Sequence, residues 1–195
     1  LARSRRALDG LNLRDRARDI THLILTTCTG FYAPGLDIEI VGHYGLKSSV
    51  ERTIVGFMGC YAAINALKLA RHIVRSEEGA QVLILNLELC TLHLKQTDDL
   101  EQMLSFLLFA DGCSASVVSA APTGIELQRF HSAVMPGSGD QITWSIGGSG
   151  FDMNLSGKVP GTIAAGLPAC LPEILDGRDK EQFTHWAVPP GGRSI

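Results

Sequence analysis

The chain has 195 residues, 45% of them hydrophobic, and seventeen basic residues against twenty acidic ones leave a formal charge of −3. That is long enough to bury a sizeable core, as one domain or as part of a larger layered one. The lack of a net basic field argues against nucleic acid or an anionic membrane surface as a partner, and the longest apolar runs are strand-sized, so no segment reads as a membrane span.

The basic opening Ala2-Arg3-Ser4-Arg5-Arg6 is soon interrupted by Asp9, Asp15 and Asp19, which favours a solvated helix over 2–11 rather than a transit peptide. A first residue that is Leu rather than Met implies that the chain begins inside a longer protein. Strands are expected over 21–27 and 52–55, with a helix over 36–44 between them. The run 61–77 reads as an amphipathic helix, with Asn65, Lys68, Arg71, His72 and Arg75 on one side and Ala63, Ile64, Leu67, Ala70, Ile73 and Val74 on the other. A strand over 81–89, a helix over 100–108, strands over 113–120 and 125–135, a helix over 161–175 and a strand over 183–188 complete the pattern. Continuous apolar strands such as Val82-Leu83-Ile84-Leu85 need both faces covered, so the fold class is α/β, with helices layered on a sheet.

Gly147-Gly148-Ser149-Gly150 has neither the GxGxxG spacing nor a lysine suited to phosphate, and reads as a hairpin or loop. The five cysteines, at 28, 60, 90, 113 and 170, form no CxxC pair, which points to reduced, cytoplasmic usage. The six histidines show no HExxH spacing, so no metal is expected.

Cys60 follows a strand-type run and two glycines, and opens the 61–77 helix. A helix N-terminus offers unpaired N–H groups and the positive end of the dipole, which favour thiolate over thiol and would lower the cysteine pKa. The alternative is an inert buried thiol, a common role for cysteine.

Four segments taken together resemble the type III polyketide synthases, the chalcone and stilbene synthase family. They are Thr26-Thr27-Cys28-Thr29-Gly30-Phe31-Tyr32-Ala33-Pro34-Gly35, Gly56-Phe57-Met58-Gly59-Cys60, Phe109-Ala110-Asp111-Gly112 and Trp186-Ala187-Val188-Pro189-Pro190-Gly191-Gly192. The segment Asn86-Leu87-Glu88-Leu89-Cys90-Thr91-Leu92-His93-Leu94 looks more like bacterial members than plant ones. The resemblance implies a thiolase-like layered fold, with 1–121 as the later part of an N-terminal half carrying the nucleophile and 122–195 as the beginning of a C-terminal half. It implies acyl transfer from an acyl-CoA starter to Cys60 and extension with units from malonyl-CoA, without a further cofactor, in a homodimer. By the same resemblance Phe109 is the aromatic gatekeeper, Met153 stands where plant relatives carry a second gatekeeping Phe, and Ala33 stands where they carry a Met that reaches across the dimer. Cys90 and His93 match positions that line the acyl cavity, although as alternating strand residues they could equally be core groups.

The family's catalytic His immediately precedes Pro-Gly-Gly, and here that position is Pro189. His185 is no obvious substitute, being four residues away, about 13 Å along a strand. The family's catalytic Asn falls beyond Ile195, and the stretch with its usual CoA-contacting basic residues precedes the matched part. Two other readings therefore stand beside the synthase: a catalytically impaired remnant or non-catalytic pairing subunit of the same fold, and another thiolase-fold condensing enzyme.

Overall fold

The computed structural model describes residues 2–189; Pro190, Gly191 and Gly192 of the C-terminal motif lie outside the described residues. The chain forms two compact units, Leu1–Leu92 with Ala110–Gln128, and His93–Phe109 with Arg129–Ile195.

The first unit is built on a four-stranded sheet of β1 (His22–Thr27), β2 (Glu51–Gly56), β3 (Gln81–Glu88) and β4 (Gly112–Ser119), in the order β2-β1-β3-β4. β1 is parallel to both β2 and β3, and β4 is antiparallel to β3. β1 is buried along its whole length. Side chains on a strand alternate between faces, so the apolar run of each central strand feeds two cores at once. Leu23, Leu25, Leu83 and Leu85 face a layer that includes α1 (Ala2–Asp9), α2 (Leu13–Arg16) and α3 (Leu36–Tyr44), through Leu8, Leu13 and Ile40. Ile24, Val82 and Ile84 face α4 (Ala62–Ser76) through Ala66 and Ala70. This is the layered α/β arrangement that the continuous apolar strands require.

α4 is a helix as its periodicity predicts, but it packs on a different stripe. Ala62, Ala66 and Ala70 are the buried residues, four apart, whereas Ile64 is 46% exposed. Small side chains bring the helix backbone close to the sheet, and the larger apolar residues flank the seam. α3 is tied to the edge strand by an ion pair between buried Asp37 and Arg52, and to α1 by the Tyr44 hydroxyl, which donates to Asp9 Oδ1 at 3.0 Å and lies 3.3 Å from the Arg5 carbonyl.

The second unit contains α5 (Leu100–Leu108), the hairpin of β5 (Ile142–Gly147) and β6 (Gly150–Leu155), and α6 (Val159–Leu175). Asp99 caps α5, its side chain accepting from the Gln102 N–H. Gly147 pairs with Gly150 across the hairpin, leaving Gly148-Ser149 as a two-residue connection. The glycine-rich run is thus a hairpin, as its spacing indicates.

Two expected strands are absent. The 125–135 run has no regular structure, and its apolar residues Ile125 and Val134 are each 92% exposed. β-type composition forms a strand only where a neighbour supplies the ladder, and no strand pairs with this run among the described residues. In 183–188 the chain follows a 3-10 turn (Lys180–Gln182) as irregular backbone, with Trp186 and Val188 exposed. Conversely, β5 and β6 were hidden by their mixed composition, because a hairpin exposed on one side carries polar residues throughout.

Candidate active site

Three parallel strands end side by side, with Thr27 in register with Gly56 and Thr26 with Asn86. The carboxyl ends of parallel strands are where α/β sheets leave a crevice for ligands. Cys28 follows β1, the turn Gly56-Phe57-Met58-Gly59 leaves β2, and Glu88 closes β3.

Cys60 lies in a single 3-10 turn, Gly59–Tyr61, that runs straight into α4. Two residues of the turn have positive φ, Phe57 at 51° and Gly59 at 70°. Glycine adopts that region freely, while a side chain there costs about 1–2 kcal/mol. Phe57 stacks on Phe31 with ring centroids 4.9 Å apart. A Cβ on Gly56 would stand 2.5 Å from the Phe31 ring, so the stack depends on the glycine. This sharp turn leaves Cys60 exposed, whereas Cys28, Cys90, Cys113 and Cys170 are half-buried.

The electrostatics run against the helix terminus. The Cys60 pKa is pushed up, first by desolvation of the sulfur and then by Cys28 and Glu88, with a backbone hydrogen bond pulling it down. The residue as a whole is open to solvent, so its exposure governs access by a reagent, while crowding at the sulfur governs the direction of the pKa. The expected lowering is therefore outweighed, first by desolvation of the sulfur and then by Cys28 and Glu88, against which a short terminal turn supplies only partial charges. Cys90 is pushed up for the same reasons, by burial first and then by Glu88, Asp111 and Cys60.

Glu88, Thr29 and Asp111 are functional candidates that the sequence reading passed over. The Glu88 carboxylate accepts the Cys28 N–H at 2.9 and 3.1 Å and the Thr29 hydroxyl at 2.8 Å, and that hydroxyl in turn accepts the Leu89 N–H at 2.8 Å. The network ties the end of β1 to the end of β3. Asp111 accepts the Thr91 N–H at 2.9 Å and the Thr91 hydroxyl at 2.8 Å, which fixes the turn carrying Cys90. A signal for Glu88 was available: a carboxylate closing an apolar strand has to be satisfied by local donors. A largely apolar cavity of about 180 Å³ lies in the same unit, its lining including Leu25, Thr27, Thr29, Phe31, Leu87 and Leu92.

Cys90 and His93 are not alternating strand residues, because β3 stops at Glu88 and both lie in a 3-10 turn, Cys90–His93. In the second unit, buried His93 accepts the Phe151 N–H at Nδ1, 3.1 Å away, stacks on Phe151 at 4.4 Å and meets Trp144 edge-on at 5.3 Å. Met153 pairs across the hairpin with Trp144, the residue whose ring meets His93 edge-on. Phe109 is half-buried and ends α5, its N–H donating to the Ser105 carbonyl at 3.0 Å. Pro189 is exposed. The site residues thus fall into two sets, Cys28, Cys60, Glu88, Cys90 and Asp111 in the first unit, and His93, Phe109, Met153 and Pro189 in the second.

Residues 7–122 match the family model of the N-terminal domain of chalcone and stilbene synthases. The chain is 36% identical to the alpha-pyrone synthesis polyketide synthase-like Pks18 of Mycobacterium tuberculosis, over 98% of this chain and 51% of that protein. It is 32% identical to bisdemethoxycurcumin synthase of rice, Oryza sativa, over 92% of this chain and 48% of that one. The crystal structure of PKS-I from the brown alga Ectocarpus siliculosus superposes with a TM-score of 0.86 at 32% identity, covering 91% of this chain and 49% of that one. The chain spans about half the length of the curated relatives it matches. It has the thiolase-like α/β fold, and it belongs to the chalcone and stilbene synthase family.

Proposed function

We propose that the chain is the cysteine-bearing part of a type III polyketide synthase that loads an acyl-CoA starter on Cys60 and condenses it with units from malonyl-CoA. The observation that carries this reading is the presentation of Cys60, exposed on a glycine-built turn between a parallel strand and a helix. In the loading step the Cys60 sulfur attacks the thioester carbonyl, a new sulfur–acyl bond forms, the bond to the CoA sulfur breaks, and CoA leaves as the thiol with the cysteine's proton. In the extension step malonyl-CoA loses carbon dioxide, the resulting enolate carbon attacks the acyl carbonyl, and Cys60 is expelled as thiolate. CoA thioesters are the substrates and no further cofactor takes part.

Phe109 serves as the gatekeeper, and Cys90, His93 and Met153 line the acyl cavity. The thiolase-like halves divide between 121 and 122, and the working protein is a cytoplasmic homodimer, with small Ala33 at the position from which plant relatives extend a Met to their partner.

Pro189 bears directly on rate. Proline has no titratable side chain and no N–H, so it can neither support the thiolate nor donate to the thioester oxygen. The loss of one such donor costs about a hundred- to a thousand-fold in rate. The test is intact-mass detection of an acyl adduct after incubation with a panel of acyl-CoAs, alongside malonyl-CoA decarboxylation, for the chain, Cys60→Ala and Pro189→His. The expected result is a slow adduct on the unchanged chain, none on Cys60→Ala, and faster loading on Pro189→His. An adduct that survives Cys60→Ala would overturn the nucleophile, and rapid polyketide formation by the unchanged chain would overturn the role given to Pro189.

A further inference from the structure

We propose that His22, Glu51 and Glu77 form a binding site for a divalent cation of the zinc type, at the end of the sheet away from Cys60. His22 opens β1 and Glu51 opens β2, whereas Cys28 and Cys60 follow the far ends of those strands; Glu77 immediately follows α4. Residues so far apart in sequence leave no local metal motif, which is why their spacing gave no sign of a site.

Nε2 of His22 faces the two carboxylates, while Nδ1 faces Thr21. The Thr21 N–H donates to the Gln81 carbonyl at 3.0 Å, and the Thr21 carbonyl accepts the Glu51 N–H at 2.9 Å, so the residue before His22 is held from both neighbouring strands. Its hydroxyl donates to the Gln81 carbonyl at 3.1 Å and accepts the Gln81 N–H at 2.9 Å. The hydroxyl also meets His22 Nδ1 at 2.8 Å, and with its one proton on the Gln81 carbonyl it accepts the ring N–H there. The neutral ring then carries its lone pair on Nε2.

That lone pair points at two more acceptors. Glu77 Oε2 lies 3.5 Å from Nε2 and Glu51 Oε2 lies 3.7 Å from it. The three ligand atoms lie within 4.8 Å of one another. Converging acceptors repel unless a positive centre lies between them. A tetrahedral zinc with bonds of about 2.0–2.1 Å separates its ligands by roughly 3.4 Å, close to both distances from Nε2, and the carboxylates can close on the ion by moving their side chains. They have that freedom, since their side chains are 72% and 52% exposed while the His22 side chain is 7% exposed. One imidazole, two carboxylates and an open fourth position suit zinc; magnesium and calcium demand more oxygen ligands. A histidine whose other ring nitrogen is held by a fixed partner is the usual second contact of a metal-bound imidazole, and Thr21 supplies it.

The test uses the full chain with its accessible thiols blocked, titrated with Zn²⁺ by calorimetry and with Co²⁺ by visible absorption. The expected result is one Zn²⁺ per chain in the micromolar range, a four-coordinate Co²⁺ spectrum, and no heat from Mg²⁺ or Ca²⁺ at the same concentrations. Glu51→Gln and Glu77→Gln, at exposed positions that leave the core intact, should each weaken Zn²⁺ at least about ten-fold, and Thr21→Val should weaken it about ten- to a hundred-fold. Failure to bind one Zn²⁺ per chain would overturn the proposal, and so would an affinity unchanged in both glutamate variants.

Discussion

A nucleophilic thiol is useful as thiolate, and the groups around Cys60 set how readily it forms. Glu88 opposes it: its carboxylate is among the causes that raise the Cys60 pKa, yet the same carboxylate holds the Cys28 N–H and the Thr29 hydroxyl. Glu88→Gln keeps an acceptor for these donors and removes the charge. The Cys60 pKa should then fall, and iodoacetamide labelling of Cys60 near pH 7, followed by peptide mapping, should speed up several-fold. An unchanged rate would mean that desolvation and Cys28, not Glu88, set the thiol. At this scale Cys60 was legible because it stands between a glycine turn and a helical period, whereas its pKa was not, because Cys28 and Glu88 reach it only when β2, β1 and β3 end in a row.

Among the elements, α1 is held by a contact that its own sequence does not announce. The Tyr44 hydroxyl of α3 donates to Asp9 at the end of α1, and Arg14 lies over its ring, 5.3 Å from the centroid. Burial, with the bond to Asp9, pushes the Tyr44 pKa from 10.0 up to about 12. The folded pKa is raised, so this stabilisation is fully present below the unfolded value near 10 and is lost as pH rises through about 12. Tyr44→Phe should cost about 1 kcal/mol in denaturant unfolding at neutral pH. Its stability should also fall less than that of the unchanged chain between pH 10 and about pH 12, the window set by those two values; parallel pH profiles would show that the hydroxyl contributes nothing. The helix at Leu36–Tyr44 and the helix at Leu100–Leu108 were both readable from apolar spacing. The buried stripe of α4 was not, since three alanines are as compatible with a solvent face as with a close sheet contact until the sheet is in place.

On the scale of the whole molecule, apolar surface remains open. Leu100, Leu104, Leu107 and Leu108 of α5 are 65%, 54%, 84% and 44% exposed. Apolar surface repeated along one helix marks an association site or an aggregation liability. The chain on its own should self-associate in light scattering, and Leu104→Lys with Leu107→Lys should reduce that association; a monodisperse monomer at high concentration would count against it. The same scale explains the two strands that did not form: the 125–135 and 183–188 runs have strand composition, but pairing is a property of neighbours rather than of a segment.

Local pattern by itself determined the periodic elements, the two-sided burial of β1 and β3 and hence the α/β class, the turn at Gly147-Gly148-Ser149-Gly150, and the placement of Cys60 at a helix entrance. Each follows from interactions within a few residues, or from an apolar run that can be satisfied in only one way. Tertiary structure alone decided the strand order β2-β1-β3-β4, the network joining Glu88 to the backbone after β1, the split of the site residues between two units, and the meeting of His22 with Glu51 and Glu77. These bring together residues from separate segments, and electrostatics and hydrogen bonding act across space, so no spacing along the chain encodes them.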